Sequence, residues 1–391
     1  MNLEQLRAGI PALATTIYLN TGTFGPMPTV VADEIRRVYG EIERQGTFSP
    51  GVFWQMELEG FEALRQQVAA LLHADPAEIA LTRNVTDGIN IVLHSLDWQP
   101  GDQVILTDHE HPSGTVPWLA LAERAGVELR WLELTDDAGE IVARFQRLLG
   151  KRTRLAQLSH VSCLTGLRLP VERLCRLARQ AGVLTLVDGA HAEGQFAVDV
   201  EALGCDFYAA CGHKWLLGPQ GVGMLYVHRE HVQRLRPIWL GWDVGQPFDR
   251  AARSYQLQDT AARFEQSTRA WPLYLAFGKA IEFVEGVGPT AIEARVQELR
   301  GDFIGQLRAI PGVTVLSPLD PALGTGLVTA RVAGWSCDVL QQRLWEQQRI
   351  ITNVIREFDA LRFSLAFFTS EEELAVALQA VADAALLTPK L

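Results

Sequence analysis

The chain is expected to form an α/β protein with a mostly parallel sheet covered by helices on both faces. Three observations lead there. Apolar, strand-like runs alternate with amphipathic stretches through the first two thirds of the chain. Several of those runs end in polar or charged residues, where ligands of such sheets bind. The length of 391 residues with 48% hydrophobic residues allows a large core, and single cores rarely grow beyond about 250–300 residues, so a second, smaller unit is expected too.

Taken in order, residues 79–82 read as a strand leading through Arg83-Asn84-Val85-Thr86-Asp87-Gly88 into a helix around 89–93. Gly101-Asp102 turns into a strand over 103–106, followed by a helix over 115–125. A strand over 127–134, a helix over 140–149 and a strand over 155–159 come next. Pro170 opens a helix running to about 181, because its fixed φ suits a first helical turn. The strand 184–188 ends in Asp188, and apolar runs at 207–210 and 222–227 flank Lys214. The apolar run 268–285 reads as a connecting helix, interrupted by Gly286-Val287-Gly288-Pro289. Beyond it, strands near 313–316 and 326–332 alternate with helices near 337–346 and 371–387. The expected division is a large domain over 18–265, a connecting helix over 266–288, and a small domain built from 1–17 and 289–391.

Composition excludes several classes. Charged residues make up 21% and the net charge is −11 without a block of like charges, so no nucleic-acid partner is expected. No uncharged stretch reaches the roughly 20 residues that span a bilayer, and Met1-Asn2-Leu3-Glu4 opens no secretory signal. Cys163, Cys175, Cys205, Cys211 and Cys337 show no metal-ligand spacing or paired framework. The expectation is a cytoplasmic, soluble chain of enzyme size, without a structural metal or a membrane partner.

The chemistry centres on Lys214, in Cys211-Gly212-His213-Lys214-Trp215, at a turn between two strands. Asp188 ends the preceding strand and is followed by Gly189-Ala190-His191. Alone, such a lysine is ordinarily a solvated charge and such an aspartate a cap or turn residue. Together, in this order and spacing, they match the needs of pyridoxal 5′-phosphate (PLP). The lysine amine attaches the cofactor, and the carboxylate keeps the pyridine nitrogen protonated so that the ring can accept electrons.

Two further stretches fit that cofactor. Backbone N–H groups of Val85 and Thr86 at a helix start, with the Thr86 hydroxyl, make an anion site suited to a phosphate. In Thr107-Asp108-His109-Glu110-His111-Pro112 the two histidines lack the further ligands a zinc site needs, and His111 is better used stacked on a pyridine face.

The blocks Tyr18-Leu19-Asn20, Arg83-Asn84-Val85-Thr86, Glu110-His111-Pro112, Val187-Asp188-Gly189-Ala190-His191, Gly212-His213-Lys214 and Arg362 resemble the class V aminotransferase family, over nearly the whole chain. The likeness is nearest to its L-cysteine/cystine C–S lyase and cysteine desulfurase-like members. It implies a fold-type I PLP-dependent transferase, with a mostly parallel seven-stranded sheet in the large domain and a smaller C-terminal α/β domain. It implies Lys214 as the Schiff-base lysine, Asp188 as the pyridinium partner and His111 as the stacking ring. Val85, Thr86, Cys211 and His213 would hold the phosphate, and Thr268 would reach the cofactor of a neighbouring subunit, which implies a homodimer. His191 would donate to the ring hydroxyl where many relatives have glutamine. Arg362 would take the substrate α-carboxylate on what reads as an edge strand, with Asn20 and Asn353 also at the substrate.

The resemblance also bears on the reaction. Desulfurases need a thiolate on a mobile loop shortly before the carboxylate arginine, and residues 350–361 contain no cysteine. The expected activity is therefore β-elimination of sulfur from L-cysteine, cystine or a related amino acid. Transamination or isopenicillin N epimerase-like chemistry is the alternative, and a PLP-binding protein without catalysis the third. The C–S lyase has a second arginine nine positions before the carboxylate arginine. Here Asn353 stands there, with Arg356 close by as a substitute.

Overall fold

A computed structural model describes residues 2–241, 248–265 and 268–387. Its centre is a seven-stranded sheet of β1 (Ile79–Thr82), β2 (Gln103–Thr107), β3 (Glu128–Leu132), β4 (Thr153–Ser159), β5 (Leu184–Asp188), β6 (Phe207–Cys211) and β7 (Gly223–Val227). The spatial order is β1-β7-β6-β5-β4-β2-β3. The four pairings from β6 to β3 are parallel, while β7 runs antiparallel to both β6 and β1.

Alternation along the strands explains why helices cover both faces. Ile105, Leu158, Val187 and Ala210 join one apolar core, and their neighbours Val104, Leu106, Leu155, Leu186 and Ala209 join another. Successive side chains of a strand point to opposite faces, so a strand apolar at every position needs cover on both sides. The first core takes helices α1 (Thr29–Gln45) and α2 (Gly60–Leu72) through Val31, Val38, Leu64 and Val68. The second takes α3 (Val85–Ser95) and α4 (Pro112–Ala125) through Ile89, Val92, Trp118 and Leu121. Helices α5 (Ala138–Leu148) and α6 (Val171–Gln180) return to the first face.

The chain moves outward from β2 to β3 and then returns to place β4 on the other side of β2. At such a reversal the loops leaving adjacent strands diverge and open a crevice beyond their carboxyl ends. The loops after β2 and β4 border that crevice, and Asp188 ends β5 beside it.

After α7 (Trp271–Glu285) the chain breaks at Gly288, whose φ of 88° suits glycine, and α8 (Pro289–Ala309) begins. This 21-residue helix was not foreseen from the sequence, because the Gly-Pro interruption masked its start. Residues 266 and 267 of the expected connector lie outside the described residues. A second, antiparallel sheet has the order β10 (Asn353–Ile355), β11 (Ala360–Ser364), β9 (Leu327–Val332) and β8 (Val313–Val315). Its core packs Leu361, Phe363 and Val328 against α8, α9 (Cys337–Gln348) and α10 (Glu371–Ala385). One expectation is corrected here: Arg362 lies on an interior strand, between β10 and β9, not on an edge. Three-residue β10 is too short to register as a strand in the sequence pattern.

Candidate active site

Strand alternation aims the key residues. Leu361 and Phe363 enter the core of the second sheet, so Arg362 between them faces the other way, toward the crevice. The loops beyond β2, β4, β5 and β6 come from the opposite side. Between them lies a cavity of 530 Å³, within the size range of cofactor sites. Val85, Thr86, His111, Asp188, His191, Cys211, His213, Lys214, Asn353 and Arg362 all line it, drawn from six separate stretches of sequence.

Two predicted residues stand elsewhere. Asn20 does not line the cavity. Its Oδ1 accepts from the Thr23 hydroxyl at 2.7 Å, and Thr23 in turn accepts from Arg362 Nη2 at 3.2 Å. It therefore acts on the cavity through Arg362. Thr268 is exposed and away from the cavity, with its backbone at φ 55°.

The floor is buried. Asp188 Oδ1 accepts from the Ala190 amide at 2.9 Å. Burial raises its pKa, while the Lys214 cation and that amide pull it down. Lys214 Nζ lies 3.2 Å from Nε2 of His191, whose Nδ1 receives the indole N–H of Trp215 at 3.2 Å. The lysine turn is held by close backbone approach. A Cβ on Gly25 would stand 2.1 Å from the Lys214 carbonyl oxygen, and the Gly25 amide donates to the His213 carbonyl at 2.7 Å. Leu217 follows with φ 58°, a conformation that costs a non-glycine residue and is retained where surroundings impose it.

His111 is the N-cap of α4, its Nδ1 accepting from the Ser113 amide at 3.1 Å. The residue lines the cavity and is exposed at its surface. Partial desolvation, with the Lys214 and Arg362 cations, lowers its pKa to about 4, so it is neutral near pH 7. Asn84 caps α3 by accepting from the Asp87 amide, which leaves the helix's first amides, those of Val85 and Thr86, free of intrahelical partners. Burial and Lys214 likewise lower His213 to about 4, and its buried Nδ1 has no hydrogen-bond partner.

Arg362 is 4% exposed. Its Nη1 donates to the Cys163 carbonyl at 2.6 Å and its Nη2 to Thr23, while Nε is buried without a partner. A guanidinium carries five N–H donors, so this one retains unspent donors. Asn353 is its register neighbour across β10 and β11.

Several residues of the site escaped the sequence reading. Gly22, Thr23 and Ser159 lie in the wall, in a loop or at a strand end without a periodic signal; Cys163 lines it too, in the Ser162-Cys163-Leu164 turn where the family resemblance expects an asparagine. Burial pushes the Cys163 thiol up to about 11, which leaves it protonated and a poor nucleophile. Glu110 is fully enclosed behind the wall. It accepts from the Thr107 hydroxyl (2.7 Å), the Ser159 amide (3.0 Å) and hydroxyl (2.9 Å), and the Gln157 amide group (3.1 Å). Burial and the Asp188 charge raise its pKa to about 7, against those donors. Its place just before His111 was the available signal.

The cavity fits PLP on its own features. It offers an amine, a buried carboxylate, a neutral imidazole on its wall, a helix start with free amides, and two buried polar atoms, His213 Nδ1 and Arg362 Nε, that lack protein partners. Orphaned buried polar atoms are costly and point to a missing ligand. Among the described residues no cluster of His, Cys, Asp or Glu suits a metal ion.

Comparison with known proteins agrees with this geometry. The profile of the Aminotransferase class-V family matches residues 17–375, and the chain belongs to that family. It is 36% identical over 387 residues to isopenicillin N epimerase of Streptomyces clavuligerus, covering 95% of each chain. The structure of the cystine C-S lyase C-DES with its reaction product cysteine persulfide superposes with a TM-score of 0.90 at 32% identity, covering 96% of this chain and 99% of that one. A C-DES mutant with glycine covalently linked to the PLP cofactor gives 0.91, with the same identity and coverage. The fold is thus that of fold-type I enzymes.

Proposed function

We propose that the protein is a PLP-dependent enzyme that breaks the C–S bond of a sulfur amino acid by β-elimination. The observation that carries this reading is the facing pair of walls: Lys214 over the buried Asp188 on one side, and Arg362 with unspent donors on the other. Bound PLP supplies an electron sink conjugated to the substrate Cα.

This chain's residues do the rest. Lys214 would hold the cofactor through its amine and would serve as the base for the Cα proton. Asp188 would keep the pyridine nitrogen protonated. Neutral His111 would lie against the ring without adding a charge that opposes that proton. The amides of Val85 and Thr86, the Thr86 hydroxyl and His213 bind the phosphate, with the Cys211 segment closing that end. Arg362 grips the substrate carboxylate, Asn20 orients it through Thr23, and Asn353 lies at its side. His191, whose Nε2 lies 3.2 Å from the lysine amine, would stand beside the ring hydroxyl. Loss of the sulfur group leaves, after hydrolysis, pyruvate and ammonia.

The 350–361 stretch holds no cysteine to accept sulfur, and Cys337 is buried with its thiol raised to about 11, which disfavours desulfurase-type persulfide transfer. The second reading is epimerisation, favoured by the full-length likeness to isopenicillin N epimerase. Both begin with Cα proton removal and part at the leaving group. Incubation with L-cysteine, cystine and a panel of amino acids, followed by pyruvate and ammonia measurement and chiral analysis, decides. Equal pyruvate and ammonia supports elimination; inverted Cα without pyruvate supports the second reading.

We further infer a homodimer. Phe48, Trp54 and Leu58 are exposed around a hollow that also includes Phe53 and Phe61. Exposed apolar ground of this kind marks an association surface. Thr268 lies close in sequence to Arg269, which also borders that hollow, in keeping with a role at a neighbouring subunit's phosphate. The 18–265, 266–288 and 289–391 division, with 1–17 joining the last part, is kept as the proposed domain plan. A cytoplasmic setting is proposed as well: all five cysteines are unpaired, and among the described residues no helix is long and apolar enough to cross a membrane.

A further inference from the structure

Trp215 has no place in the reaction above, yet it is 1% exposed and spends its only polar group on the active-site loop. We propose that Trp215 is a positioning residue that fixes His191 as the neutral Nε2–H tautomer, so that His191 faces Lys214 as a permanent hydrogen-bond donor. The assignment of the tautomer stands on geometry alone; its use in catalysis rests on the PLP reading.

The argument is one of donors and acceptors. An indole N–H can only donate. It lies 3.2 Å from His191 Nδ1, which must therefore offer a lone pair. A neutral imidazole then carries its single proton on Nε2. An imidazolium would set N–H against N–H at the indole. The Lys214 and Arg362 cations around the ring oppose that charge as well, while His111 and His213 are neutral near pH 7 and Asp188 lines the same cavity. With His191 4% exposed, burial is the main cause that holds its pKa well below the ordinary value.

The protonated Nε2 is 3.2 Å from Lys214 Nζ. That contact becomes a hydrogen bond when the Lys214 nitrogen has a lone pair to accept with, so the donor is set for the neutral amine and not for the ammonium whose charge acts on Asp188 and His111. The opposite tautomer would present a bare nitrogen and hold an ammonium instead. Trp215 thereby selects which face of the imidazole chemistry reaches the amine, two bonds removed from the amine itself.

The frame around the pair is rigid. A Cβ on Gly194, at φ 85°, would stand 2.5 Å from the Trp215 carbonyl oxygen, so the 189–195 loop closes on the tryptophan only with glycine there. Gln195 donates from Nε2 to the His191 carbonyl at 2.5 Å and accepts the Gly326 amide at 2.7 Å. The His191 backbone is thus tied to the start of β9 as well as to its own loop.

The test uses the full chain labelled with nitrogen-15 at histidine, without and with PLP. Long-range proton–nitrogen correlation spectra distinguish the two neutral tautomers and the cation, and the signal lost in H191Q identifies His191. The expected result without PLP is one neutral form, protonated at Nε2, unchanged from about pH 5.5 to 8.5. In W215F the signal should become a tautomer mixture or begin to titrate. A wild-type ring protonated at Nδ1, or a W215F signal identical to wild type, overturns the proposal.

H191Q guards against misfolding of W215F. A glutamine amide can accept the indole N–H through oxygen and donate through nitrogen. The pH midpoint of the PLP absorbance should therefore hold in H191Q and move by about one unit in H191L, the scale of one lost hydrogen bond at an ionisable pair. Equal shifts in both variants also overturn the proposal. Failure to take up PLP would instead sink the cofactor reading, with the spectra of the cofactor-free protein still deciding the tautomer.

Discussion

The two walls of the cavity are built differently. On the Asp188–Lys214 side the polar groups near the lysine amine are matched to one another: Ala190 to Asp188, Trp215 to His191, His191 to Lys214, with Glu110 saturated behind them and His213 Nδ1 left over at the phosphate end. On the Arg362 side a buried guanidinium keeps unspent donors, and the rim contains exposed Arg356 and Glu357. A saturated wall is preorganised and adds little freedom for choosing among substrates. A wall with spare donors is where an incoming molecule would make its bonds, which is why substrate binding is proposed for Arg362 and its register neighbour Asn353.

That contrast can be broken in order of expected effect. K214A should remove cofactor attachment and lower turnover on the order of 10³-fold or more, since it deletes both the attachment point and the base. Full activity in K214A, measured by pyruvate release, would refute the role of that wall. R362L should leave the cofactor spectrum in place and lower kcat/KM by roughly 30- to 150-fold, chiefly through KM, because a charge-assisted pair is lost. A change in the cofactor spectrum without a change in KM would assign Arg362 to the wrong wall.

Glu110 gives a pH test of the saturated side. Its native pKa of about 7 exceeds the ordinary 4.5, so the folded state binds the proton more tightly than the unfolded state. The stabilisation it contributes is complete below pH 4.5 and is lost as pH rises toward 7, by about 3 kcal/mol at most. In urea titrations between pH 4.5 and 7.5, wild type should lose stability relative to E110Q as pH increases. Parallel curves would show that the four donors outweigh burial and keep Glu110 ionised throughout.

The smallest effect is expected at Arg356. It is exposed and paired with Asp338 at 2.7 Å, the kind of surface ion pair worth about 1 kcal/mol or less. R356A should change kcat/KM for L-cysteine less than about fivefold. A larger loss confined to cystine, which has a second carboxylate, would show that Arg356 takes the role suggested by the arginine missing at Asn353.

What was legible in the sequence follows the same division. Lys214, Asp188 and His111 could be placed because they terminate or follow buried strands whose apolar runs declare their own ends. Gly22, Thr23 and Ser159 could not, because residues in loops and at strand ends carry no period. Arg362 was recognised as a binding candidate but misplaced on an edge, since the three residues of β10 give no strand signal; its pairing with Asn353 exists only in the folded register. Glu110 read as a loop residue beside a histidine, and only tertiary packing encloses it. Helix α8 was hidden by the Gly-Pro sequence that starts it. Thr268 and the proposed subunit contact depend on a second copy, which no single-chain pattern encodes.

The central claim is that the amine of Lys214 holds PLP. The chain's other lysines are Lys151, Lys279 and Lys390, so the site of attachment can be read without ambiguity. Protein saturated with PLP, reduced with borohydride, digested and sequenced by mass spectrometry should carry the pyridoxyl group on Lys214. A tag on one of the other three, or none at all, would contradict the account.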